Sequence, residues 1–185
     1  SAGPIGTNLE NMSKHHRNRN WAPAPQPLPE DAHVIDNHTH VASVVPFSQA
    51  MSHEAMEKGQ GEVPVYSVDE LLEQAQKVGV EGVIDCGCEL PNLMTAIDMA
   101  REHPGTVHAA IAIHPNEAVL HGHRGAPGPD GLPIKYKPWH DIPFDEAMAE
   151  VHRLATTYPN QVVAIGETGM DLFRTGEGAK ELQRE

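Results

Sequence analysis

From Ala32 onward, apolar and polar positions alternate in blocks that read as short buried strands and amphipathic helices. Val34-Ile35-Asp36 predicts a first strand, buried, that runs up to His38 and His40. The polar, Met- and His-bearing stretch from about Ser43 to Val65 reads as a long loop. Ser67-Val68-Asp69-Glu70 has capping-box spacing, and Val68, Leu71, Leu72, Ala75 and Val78 recur at helical intervals before Gly79 stops the helix. Val80 to Cys88 predicts a second strand. A second helix follows Pro91, with Leu93, Ala96, Ile97 and Ala100 on one face and His103-Pro104-Gly105 as its stop. Val107 to Ile113, nearly all apolar, predicts a third strand covered on both faces. A Gly/Pro-rich loop from His121 to Pro143 leads into a helix over Phe144 to Tyr158, with Met148, Val151, Leu154 and Ala155 inward. Val162 to Gly166 predicts a fourth strand, and Ala179 onward the start of another helix.

Continuous apolar strands joined by helices predict an α/β fold with a parallel sheet. A doubly wound sheet and a (β/α)8 barrel both satisfy that pattern, and the chemistry at the strand ends has to decide between them. Residues 1–31 predict a disordered N-terminal tail, with Pro23, Pro25, Pro27 and Pro29 favouring extended, solvated chain. Residues 32–185 are then the folded part.

Composition narrows the function. The 185 residues carry a net charge of −13, which disfavours non-specific binding to duplex nucleic acid through basic side chains. It leaves room for a nuclease whose positive charge arrives as bound metal. No apolar run reaches the roughly eighteen residues of a membrane span, and no apolar signal region opens the chain, so a cytoplasmic protein is expected. Two cysteines, Cys86 and Cys88, are too few and too close for a disulfide framework. They read as small residues packing near the end of the second strand rather than as half of a zinc ribbon.

His38-Thr39-His40 is the sharpest chemical signal. Residues two apart on an extended chain face the same way, so both imidazoles can converge on one ion. They stand just past the end of the first strand, where barrel enzymes place catalytic groups, and Asp36 precedes them. Glu167 directly follows the fourth strand, in a place where a carboxylate is costly to bury unless it is paired or holds metal. His114 ends the third strand and faces substrate or phosphate, or is a structural histidine; Pro115 after it forbids immediate helix continuation. Asp171 either orients a ligand or shapes its loop. His121 and His123 read as solvated. Lys135, Tyr136, Lys137 and Trp139 form a local basic-aromatic cluster, either a solvated insertion or a surface on which single-stranded nucleic acid stacks.

Three motifs in this order resemble the TatD family of metal-dependent deoxyribonucleases. They are Val34-Ile35-Asp36-Asn37-His38-Thr39-His40, then Ala112-Ile113-His114-Pro115-Asn116-Glu117-Ala118, then Ala164-Ile165-Gly166-Glu167-Thr168-Gly169-Met170-Asp171. The resemblance implies a (β/α)8 TIM barrel, of which this chain supplies about the first four β/α units. It implies two divalent metal ions (Mg, Mn or Zn), with His38 and His40 on one and Glu167 bridging both as the central catalytic carboxylate. It also implies a DNA substrate, single strands or ends, cleaved at its phosphodiester bonds. Val41-Ala42 departs from the family pattern, which usually has an apolar residue and then Asp there. The family's two later metal histidines and its final catalytic aspartate belong to strands beyond Glu185, so a truncated barrel lacking its C-terminal half, inactive by itself, is expected. An amidohydrolase or phosphotriesterase barrel also opens with His-x-His, but it commonly bridges its metals with a carboxylated lysine where this chain has Glu167. An aminoacyl-tRNA esterase is a further alternative on the same ligands. A non-catalytic metal-binding or interaction fragment is the alternative from a different class.

Overall fold

The computed structural model describes residues 27–60, 64–123, 136–172 and 177–184. The expected tail lies outside the described residues as far as Gln26. The stretch that follows is tied down by a hydrogen bond of 2.9 Å from the Leu28 N–H to the Val78 carbonyl.

Among the described residues four strands form one sheet: β1 (Val34–Thr39), β2 (Val80–Gly87), β3 (Val107–Ile111) and β4 (Val162–Ile165). Every pair is parallel and the spatial order is the chain order, β1-β2-β3-β4. Parallel neighbours need crossover connections. These are supplied by α1 (Val41–Glu57) and α2 (Val68–Lys77), then α3 (Leu90–Glu102), then α4 (Pro115–Ala118) and α5 (Phe144–Thr157). The expected α/β pattern of four strands is therefore present, with strand ends within two residues of those read from sequence.

α1 corrects the sequence reading, because the stretch from Ser43 that reads as a loop is mostly helix. Its buried residues are Val41, Ser48 and Ala55, spaced by sevens, with Val44, Val45, Met51 and Ser52 partly covered between them. That is a helical stripe built from small and polar residues, so it lacks a strong apolar signature. Pro46 sits on the exposed side and removes one backbone donor without ending the helix. α2 matches its reading closely. Ser67 Oγ accepts from the Glu70 N–H at 3.2 Å, and the Ser67 N–H donates to Glu70 Oε2 at 2.8 Å. Gly79, at φ +98°, turns the chain out of α2 as only glycine does easily.

The core lies on one face of the sheet. Val83 of β2 and Val107, Ala109 and Ile111 of β3 pack with Leu93, Ala96, Ile97 and Ala100 of α3 and with Ala147, Val151 and Leu154 of α5. Met148 and Ala155, expected inward, are partly buried against the same cluster. The β2–α3 contact is close enough to need glycine. A Cβ on Gly87 would lie 2.7 Å from the Asn92 carbonyl oxygen and 3.1 Å from Leu93 Cα.

The expectation of fully buried strands holds only for the middle of the sheet. β1 is exposed apart from Val34 and Thr39, and Ile35, Val163 and Ile165 are each more than half exposed. β1 and β4 are the edges of this sheet, and their second face has no layer over it among the described residues. The helix expected from Ala179 takes the form of short 3-10 turns over Glu177–Ala179 and Leu182–Arg184.

Gly87→Ala tests the packing argument. Because both clashing atoms are backbone, relief requires β2 and α3 to separate, and a loss of about 1–3 kcal/mol is expected. Urea unfolding measures it, and an unchanged midpoint would mean that the contact is not tight.

Candidate metal centre

The end of β1 is fastened to β2 one residue at a time. Thr39 Oγ1 donates to the Ile84 carbonyl at 2.9 Å. His40 Nδ1 lies 3.2 Å from the Cys86 carbonyl. A carbonyl can only accept, so that bond requires the proton on Nδ1 and leaves the Nε2 lone pair free. The Ala42 N–H donates to Asp85 Oδ1 at 3.4 Å. His38 stands inside β1, where the register with β2 is irregular between Asp36 and Thr39, and its N–H donates to Asp36 Oδ1 at 3.2 Å.

Glu167 arrives two residues after β4. Its Oε1 lies 2.9 Å from His38 Nε2 and 3.4 Å from His40 Nε2. The two imidazole rings stand edge to face with centroids 5.4 Å apart. One donor atom each from His38, His40 and Glu167 fall within 4.8 Å of one another, a set able to hold a cation. With the His40 proton on Nδ1, Nε2 and Oε1 are two acceptors facing each other. Such an arrangement is repulsive unless a further proton or a cation stands between them. Nitrogen and carboxylate oxygen donors suit Zn²⁺, and the carboxylate also suits Mg²⁺ and Mn²⁺. The donor set thus fits a divalent metal.

His114 reaches the same carboxylate from β3, with Nε2 3.5 Å from Glu167 Oε2. Its tautomer is opposite to that of His40. Nδ1 accepts the Asn116 N–H at 3.1 Å, so the proton belongs on Nε2, which becomes a donor aimed into the site. The sequence reading that forbade a helix after His114 needs correction here. Pro115 is the first residue of the short α4, a position where its missing N–H costs nothing, and His114 is its N-cap.

The chain belongs to the TatD family. The family model described as TatD related DNase matches residues 35–185, most of the chain, while no curated protein matches it. Family membership makes the parallel sheet part of a TIM-barrel fold and supports a metal-dependent hydrolase. No helix among the described residues is long and apolar enough to cross a membrane.

Two side chains around this cluster have a place that the sequence reading did not give them. Asp85, on β2, is 1% exposed. Burial pushes its carboxyl above the usual range, against the pull of the Ala42 and Val41 N–H groups and of nearby His40. An acid inside the apolar run Val83-Ile84-Asp85 was the available signal. Cys88 was read as packing only, yet its thiol donates toward Glu167 Oε1 at 3.4 Å. Burial, followed by the charge of Glu167, pushes that thiol up to about 12, so it stays neutral without metal.

Asp171 shapes its loop: Asn116 Nδ2 donates to its Oδ2 at 2.7 Å, and its own N–H donates to Gln183 Oε1 at 3.0 Å. Asp36 is exposed; its carboxylate accepts the His38 N–H but is not among the grouped donor atoms. In the basic-aromatic cluster, Lys135 lies outside the described residues. Tyr136 and Trp139 are half-buried and bonded within the insertion and to α4, through His123 O at 3.1 Å and Glu117 Oε2 at 3.4 Å.

His121 also departs from expectation. His123 is exposed, but His121 is 1% exposed, with Nδ1 2.9 Å from the Ile142 carbonyl. Gly122 and the Pro138–Asp141 turn fold the insertion back over it, which its Gly/Pro-rich neighbourhood did not reveal. Burial lowers its pKa below 6.5 and keeps it neutral, with Nε2 buried and unbonded. In the unfolded chain it titrates normally, so below about pH 6.5 the unfolded state binds the extra proton and stability falls. His121→Asn keeps an N–H for the Ile142 carbonyl and removes the titration. Thermal melts between pH 7.5 and 5 should show a shallower acid loss for this variant than for wild type; parallel curves would refute the assignment.

Proposed function

We propose that this chain carries the His38, His40 and Glu167 part of a two-cation deoxyribonuclease centre that hydrolyses DNA phosphodiester bonds, acting on single strands or ends. The observation that carries the reading is the meeting of two imidazole nitrogens with one carboxylate oxygen, in a member of a metal-dependent nuclease family. Mg²⁺, Mn²⁺ or Zn²⁺ bound there would polarise a phosphoryl oxygen and make water a nucleophile near neutral pH.

The chain's own residues have separable tasks. His38 and His40 would offer Nε2 to a cation, and the Cys86 carbonyl fixes the His40 ring in the tautomer that can do so. Glu167 turns Oε1 toward both histidines and Oε2 toward His114, so its two oxygens serve different sides of the site. That division would let Glu167 hold cations through either oxygen. His114, with its proton on Nε2, is a donor for an anionic phosphate oxygen and stabilises charge that grows as the bond to phosphorus breaks. With a chain charge of −13, cations and such donors must meet the substrate's negative charge at the site itself. Four strands do not close a barrel of eight, so turnover on this reading draws on further β/α units after those described.

Mn²⁺ titration by calorimetry, coupled to hydrolysis of an end-labelled single strand, tests the proposal. Wild type should bind, and His38→Ala, His40→Ala and Glu167→Ala should each lose affinity by more than about tenfold, the lower end of what even outer-shell changes cost. EDTA-sensitive hydrolysis should come from a C-terminally extended chain and not from the 185 residues alone. Wild-type affinity in all three variants would overturn the ligand assignment. EDTA-resistant cleavage would overturn the chemistry, and turnover by the 185-residue chain would overturn the incomplete-barrel reading.

A further inference from the structure

The helix that begins directly after His40 lacks a cap of its own. α1 starts at Val41, and its N-cap residue, His40, makes no side-chain hydrogen bond to the first turn. The backbone donors there are orphaned unless something else accepts from them. Asp85 does so from the neighbouring strand: its Oδ1 accepts the Ala42 N–H at 3.4 Å, and the Val41 N–H pulls on the same carboxyl.

The placement of this acid is otherwise hard to explain. A carboxylate 1% exposed in the middle of a sheet is costly, and a strand of this kind would be at least as stable with an apolar residue there. The residues on either side of Asp85 grip the same segment. Ile84 O holds the Thr39 hydroxyl and Cys86 O holds the His40 ring. Three consecutive residues of β2 therefore fasten Thr39, the start of α1 and the His40 imidazole. Of the three, only Asp85 uses a side chain, and only Asp85 brings a negative charge.

We infer that Asp85 is a positioning residue for the metal centre: it clamps the first turn of α1 so that His40 presents Nε2 to Glu167, and its charge favours a cation beside that ring. The inference rests on the proposed role of His38, His40 and Glu167. It extends that role to a residue that touches neither substrate nor cation. Ala42 fits this arrangement, since its small side chain lines the same 390 Å³ recess as His40, Asp85 and Cys86 and leaves Asp85 a path to the backbone.

The test compares Asp85→Ala and Asp85→Asn with wild type in two measurements on the 185-residue chain. The first is the ¹⁵N NMR spectrum of the His40 ring without metal, and the second is Mn²⁺ affinity by calorimetry. Asp85→Ala should redistribute the ring proton between Nδ1 and Nε2 and weaken Mn²⁺ binding by about 10- to 100-fold. Asp85→Asn keeps an acceptor for the helix without the charge, so it should restore the tautomer and recover only part of the affinity. Ser67→Ala, which uncaps α2 away from the site, controls for lost stability and should leave both readouts unchanged.

Wild-type tautomer and affinity in Asp85→Ala would overturn the positioning role, and so would equal losses in Ser67→Ala. Absence of Mn²⁺ binding by wild type would instead count against the proposed function, while the metal-free spectrum still decides whether Asp85 sets the His40 ring.

Discussion

Everything functional in this chain depends on bringing the end of β1 to the end of β4. The two strands are opposite edges of the sheet, separated by three interstrand spacings. In a flat sheet those spacings amount to about 14 Å. Yet His38 Nε2 and Glu167 Oε1 stand 2.9 Å apart. Long side chains cover part of that gap. Curvature toward a common concave side must supply the rest, and curvature is what a sheet needs in order to be an arc of a barrel. The same arc leaves Ile35, Val163 and Ile165 more than half exposed. Geometry that assembles the ligands and geometry that uncovers apolar side chains are thus two results of one shape.

Within that arc His40 and His114 are set apart by their hydrogen bonds rather than by their positions. His40 gives its Nδ1 proton to a strand carbonyl and His114 receives a backbone N–H on the same atom, so one ring offers a lone pair and the other a proton. The proposed centre, which would hold cations and also meet an anionic phosphate, uses both kinds. Glu167 lies between them, with one oxygen toward each.

Much of the fold was legible in the sequence, because α2, α3, α5 and the central strands announce themselves by periodicity and by a capping box. The misses have physical causes. α1 buries Val41, Ser48 and Ala55, a stripe too weakly apolar to stand out beside Pro46 and its polar neighbours. Val and Ile read as buried in β1 and β4, but an edge strand with one uncovered face leaves them exposed. The candidate ligands could be picked out because His-x-His and the acid after β4 are local patterns, and the fold brings them together. Asp85 and His121 could not, since the cap that one provides and the cover over the other come from segments distant in sequence. Ring tautomers depend on the placement of backbone carbonyls and amides, which composition cannot give.

On the proposed reading, His38, His40 and Glu167 share a cation. Anomalous diffraction from crystals grown with Mn²⁺ tests it most directly, since the scatterer locates itself without reference to activity. A peak is expected in direct contact with Nε2 of both histidines and with a Glu167 oxygen. Well-ordered crystals at saturating Mn²⁺ that show no peak there, or a peak only at distant carboxylates, would contradict it.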